Sequence, residues 1–110
     1  PLSEAQRRFW VQEQVEGDSF NLPAAFLLEG EVRGEWVEQA FAALVERHEI
    51  LRTVFPRLDG QPRQRVLPAN ACGFAIEQVD LSEVADAQAA VAALLRQQAA
   101  ERMDLEQGPL

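Results

Sequence analysis

The sequence predicts an α/β fold of the two-layer α+β kind, with helices packed on one side of a mixed sheet. Three observations carry this. Apolar residues recur at spacings of three and four in some stretches and alternate in shorter ones. The two kinds of stretch follow one another along the chain, as they do when helices cover a sheet. A length of 110 residues, with 47% hydrophobic and 25% charged side chains, suits one domain or part of one.

The first helix starts at Ser3. With Gln6 three residues on, Ser3 fits a capping box, in which each side chain serves the other's backbone N–H. Ala5, Phe9 and Val15 fall near one face with Trp10 and Val11 close by, and Gly17-Asp18-Ser19 is a natural stop. Phe20 to Leu28 reads as a strand with Phe20, Leu22, Phe26 and Leu28 on one parity, and Pro23 suits its beginning or a sheet edge. After Gly30 to Gly34 the period changes, and Val37, Ala40, Phe41, Leu44, Val45, His48 and Leu51 form one helical stripe. Glu35 and Glu38 in the first turn and Arg47 and Arg52 near the end oppose the helix dipole at each terminus.

Val54, Phe55 and Leu58 are expected to be extended, to turn at Asp59-Gly60, and to be met by Gln64 to Leu67 in an antiparallel hairpin whose ends Pro62 disturbs. Phe74, Ile76 and Val79 alternate as a further short strand. Ser82 is expected to cap a last helix faced by Val84, Ala87, Val91, Leu94 and Leu95. The chain closes MDLEQGPL, a turn before a further strand, so the sequence is expected to be cut within its domain. No repeat or low-complexity tract is visible.

A net charge of −8 argues against nucleic acid, whose binders gain affinity from clustered cations. No apolar run is long enough to cross a bilayer, and no basic-then-apolar leader opens the chain, so the expected compartment is the cytoplasm. One cysteine and one histidine cannot make a zinc site, and Cys72 reads as packed or inert. The six glycines match no phosphate-cradling loop. His48 has the pKa range of a general base, yet its place on the apolar stripe reads as a hydrogen-bonded core histidine. Arg52, after Leu51 at the helix exit, suits either an inward ion pair or an ordinary contact with the helix C-terminus.

Two stretches together are more specific than either alone. SEAQRRFW, Ser3 to Trp10, resembles the first core motif of nonribosomal peptide synthetase condensation domains, S-x-A-Q-x-R followed by a hydrophobic pair. RHEILRTVF, Arg47 to Phe55, resembles the second, R-H-E-x-L-R-T-x-F, at every fixed position. FNLPAAFLLEG resembles the family's first strand and MDLEQGPL the approach to its third core motif, so the resemblance spans the chain in order.

The resemblance implies a chloramphenicol-acetyltransferase-like fold of two lobes, with residues 1–110 as the first portion of the N-terminal lobe. It implies amide-bond formation between an acyl or peptidyl thioester and the amine of an aminoacyl thioester. Both are delivered on phosphopantetheine arms by carrier proteins, so no cofactor is bound directly. The implied partners are those carriers, the neighbouring synthetase domains and the remainder of the same domain. The catalytic signature of the family, H-H-x-x-x-D-G, is absent from these residues, so none of them is expected to be catalytic. The resemblance places the first helix beside the tunnel on its donor side, so Gln6, Arg7 and Trp10 are implied to border the substrate tunnel there. Arg52 is implied to pair with the signature's aspartate, with His48 beside it as structural support. A noncatalytic docking module, and a related starter acyl-transfer or epimerisation domain, are the alternatives.

Overall fold

The computed structural model describes residues 1–16 and 21–109, so the expected stop at Gly17-Asp18-Ser19, together with Phe20 and Leu110, lies outside the described residues. Helix α1, Glu4–Glu16, begins where the capping box puts it. The Ser3 N–H donates to Gln6 Oε1 at 2.8 Å and the Gln6 N–H donates to Ser3 Oγ at 3.2 Å. Both satisfy amides that a helix start otherwise leaves without partners. Ser3→Ala removes one of these bonds and is expected to cost about 1 kcal/mol. The urea midpoint of the intact domain measures it, and an unmoved midpoint would show the cap to be redundant. The inward face of α1 agrees with the expected one only at Trp10: Gln6, Trp10 and Glu13 are half-buried, whereas Ala5, Phe9, Val11 and Val15 are exposed.

Helix α2, Gly34–Arg47, stops one turn short of the expected stripe. His48 turns extended (φ −111°, ψ 100°), and a single 3-10 turn, Glu49–Arg52, follows. The cause lies in side chains that take helical carbonyls. Arg52 Nε donates to Val45 O at 3.2 Å and Thr53 Oγ1 donates to Glu49 O at 2.8 Å, replacing the amides that would continue the helix. His48 therefore leaves the apolar stripe and is exposed, which corrects the expectation of a core histidine; Leu51 is exposed as well.

The hairpin forms as two short antiparallel ladders. Strand β1, Thr53–Val54, pairs with β4, Arg65–Val66, and β2, Arg57–Leu58, pairs with β3, Gln61–Pro62. Asp59 (φ 52°) and Gly60 (φ 74°) both take the left-handed conformation that a tight two-residue turn between twisted strands requires. Leu67 N–H donates to Arg52 O at 2.8 Å, which extends the outer ladder back to the 3-10 turn.

Two expected strands do not form. Residues 21–29 make no ladder, because no described segment brings its backbone edge beside them. They run against the last helix instead, where Asn21 Nδ2 donates to Glu101 O at 2.7 Å. Residues 74–79 make their contacts to α2 through side chains: Phe74 stacks on Phe41 at 6.1 Å and Gln78 Nε2 donates to Glu38 Oε1 at 2.7 Å. Helix α3, Ala87–Ala100, is capped by Asp86, whose carboxylate accepts from Ala89 N–H at 3.0 Å. Ser82, the expected cap, lies in a preceding turn, with its N–H donating to Asp80 Oδ1 at 2.9 Å.

Helices with antiparallel ladders give the α+β class that the sequence predicts. The buried apolar side chains among the described residues are Leu2, Val45, Val54 and Cys72. The radius of gyration is 16.7 Å. A compact chain of this length would have about 13 Å. The molecule is thus an elongated layer, and many of the large apolar side chains among the described residues are exposed.

Candidate functional site

Arg52 is the most constrained of the anticipated site residues. Its side chain is only 16% exposed. Besides the bond to Val45 O, its Nη1 donates to Leu67 O at 2.7 Å, and Nη2 stands 3.7 Å from Glu49 Oε1. The guanidinium joins one carbonyl near the C-terminus of α2 to the residue that follows β4. Of its two expected roles, the contact with the helix terminus is formed, and Glu49 supplies a loose ion pair. A guanidinium carries five donors, so the Nη edge retains capacity for a further carboxylate. His48 contributes through its backbone, with N–H donating to Leu44 O at 2.9 Å and its carbonyl accepting from Leu51 N–H at 3.0 Å.

Gln6, Trp10 and Gln14 recur at every fourth position and so share one face of α1. That face meets the hairpin. Gln64 Nε2 donates to Gln6 Oε1 at 2.6 Å. The Arg57 guanidinium lies 5.0 Å from the Trp10 ring centroid, donates to Gln14 Oε1 through Nη2, and pairs with Glu106 through Nε at 2.9 Å. Trp10 Nε1 is buried and has no hydrogen-bond partner, a donor left idle in a polar neighbourhood. Arg7 is exposed, whereas Gln6 and Trp10 are half-buried. Arg57, Gln64 and Glu106 were not anticipated. Their partners are 43 to 58 residues away in sequence, and no local periodicity signals a pair so distant.

Beside this face a cleft of about 390 Å³ is lined by Glu13, Gln14 and the stretch Arg102 to Gln107. Glu13 is 14% exposed and stands 3.9 Å from Arg102. Burial raises its pKa above the ordinary 4.5, only partly countered by Arg102. A carboxyl that binds its proton more tightly when folded contributes stability below pH 4.5, and loses that contribution as pH rises through the raised value. Glu13→Gln is therefore expected to flatten the fall in unfolding free energy just above pH 4.5, as read from urea titrations across that range.

Among the described residues no three His, Cys, Asp or Glu side chains are grouped to hold a metal ion, and no helix is long and apolar enough to cross a membrane. One arginine ties a helix end to a hairpin, another ties the hairpin to a helix face, and the single histidine serves through its backbone. These features sit on an α+β scaffold of helices and antiparallel ladders.

The condensation domain family model matches residues 1–110, and the chain belongs to that family. It is 38% identical over 112 residues to malpinin synthetase of Mortierella alpina, covering 100% of this chain and 1% of that protein. It is 41% identical over 114 residues to a linear gramicidin synthase of Brevibacillus parabrevis, again covering 100% of this chain and 1% of the relative. Phosphinothricin tripeptide synthetase of Streptomyces viridochromogenes is 38% identical over 114 residues, with 100% of this chain and 10% of the relative covered. The chain thus spans a small part of each of these relatives. No solved structure matches the chain.

Proposed function

We propose that residues 1–110 are the first portion of the N-terminal lobe of a condensation domain, and that the domain forms amide bonds in nonribosomal peptide assembly. The amine of a carrier-bound aminoacyl thioester attacks the carbonyl of a carrier-bound acyl or peptidyl thioester. The C–N bond forms, the C–S bond breaks, and the phosphopantetheine sulfur leaves as a thiol. The arm arrives with its substrate on a carrier protein, so the partners are carrier proteins, neighbouring synthetase domains and the rest of the same domain, in the cytoplasm.

The observation that carries this reading is the second-motif arginine, Arg52, held nearly buried with donor capacity to spare. It is a ready counter-ion for the aspartate of the family's H-H-x-x-x-D-G signature. That signature requires two histidines and the sequence has one, so these residues shape the tunnel while the reacting imidazole comes from elsewhere in the domain. On this reading the segment alone is inactive, and Gln6, Arg7 and Trp10 are its candidates for the tunnel wall. The test is a condensation assay on the synthetase that carries this chain, with donor and acceptor loaded on their carrier proteins and the amide product followed by mass spectrometry. Thioester hydrolysis without amide product would defeat the proposal.

A further inference from the structure

We infer that Arg57 is a positioning residue: its guanidinium locks α1, the hairpin and the 101–109 segment into one geometry and so fixes where the Gln6–Trp10–Gln14 face stands. Three tethers converge on this one group. Nε holds Glu106, Nη2 holds Gln14, and the cationic plane lies 5.0 Å from the centroid of the Trp10 ring. Next to it, Phe55 N–H donates to Leu105 O at 2.7 Å, so backbone and side chain bind the same segment to the hairpin.

Stability is not what this cluster supplies. Arg57 and Glu106 are 47% and 42% exposed, and an ion pair so open to water adds little to folding. What it supplies is a fixed angle. Gln64 holds α1 at Gln6 and Arg57 holds it at Gln14. These points are eight residues, or about 12 Å, apart along the helix. Two tethers prevent rotation that one would allow. Without Arg57, α1 keeps only the Gln6 bond and the longer Glu13–Arg102 contact at 3.9 Å, and Trp10 loses the cation beside its ring. A lysine offers a charge but no planar fork able to hold a carboxylate, an amide and a ring together.

The inference deepens the proposed function and rests on it only where activity is measured. In the synthetase that carries this chain, Arg57→Ala is expected to raise the KM for the donor-loaded carrier about tenfold, as small misplacement of a substrate wall does. The acceptor KM and the urea midpoint are expected to stay unchanged, and Arg57→Lys is expected to behave like Arg57→Ala. Hydrogen exchange of peptides covering 53–58 and 101–109 should quicken in both variants. A donor KM within twofold of wild type, full rescue by lysine, or unchanged exchange would each overturn the inference. If the wild-type synthetase forms no amide, the proposed function falls, and exchange alone decides the role of Arg57. Should Arg57→Ala fail to fold, Glu106→Ala and Gln14→Ala remove one tether each. Faster exchange in these variants supports the inference, and exchange unchanged in both overturns it.

Discussion

Arg52→Ala is expected to destabilise the condensation domain by about 3 kcal/mol and to abolish amide formation by the synthetase. Two backbone carbonyls, Val45 O at the end of α2 and Leu67 O after β4, lose a charged donor. Bonds to charged groups contribute about 1.5–3 kcal/mol each, and with the side chain only 16% exposed, water replaces them poorly. The substitution also frees the 3-10 turn to rejoin α2, because Val45 O becomes available again to a helical amide. The hairpin then changes its angle to the helix. On the proposed function a second loss follows, since an aspartate of the catalytic signature would be left buried without its cation. Urea unfolding and the carrier-bound condensation assay read the two effects separately. Wild-type product yield from Arg52→Ala would remove the support for the proposed role, and an unmoved midpoint would remove the structural one.

The second large effect concerns residues 1–110 produced alone. They are expected to self-associate and to bind a hydrophobic dye, without a sharp thermal transition. Leu22 is 96% exposed, Phe26 85% and Leu27 86%, beside α3 side chains Val91 and Leu95 that are also exposed. The buried apolar set named above is too small to offset the conformational entropy of ordering this many residues. Contiguous apolar surface on this scale is rare on a soluble monomer, and association covers it. Sedimentation and calorimetry are the measurements. A monomeric species with a single cooperative melt would show that the elongated layer is stable by itself.

How far the residues foretold this arrangement depends on whether the governing contacts are near in sequence. The Ser3–Gln6 box, the Asp59-Gly60 turn and the core of α2 were all readable, because each is set by neighbours within four positions. The strand expected at Phe20 to Leu28 was not, since a strand exists only when a second backbone lies beside it, and alternation records preference without a partner. His48 was misplaced for a related reason: the helical count is sound only while the helix continues, and it ends where Arg52 and Thr53 capture carbonyls. The motif residue Arg52 was identified, but its two carbonyl partners were not, as Leu67 lies across the hairpin.

Local chemistry in the chain was enough to establish the family motifs, the start of α1 and the tight turn, since capping, period and backbone preference act over a few residues. The meeting of Arg57 with Trp10, Gln14 and Glu106, the inward face of α1 and the exit of His48 from the apolar stripe came from the folded arrangement. Those contacts join residues tens of positions apart, or depend on where one element gives way to another, and their energies are defined only once the elements have docked.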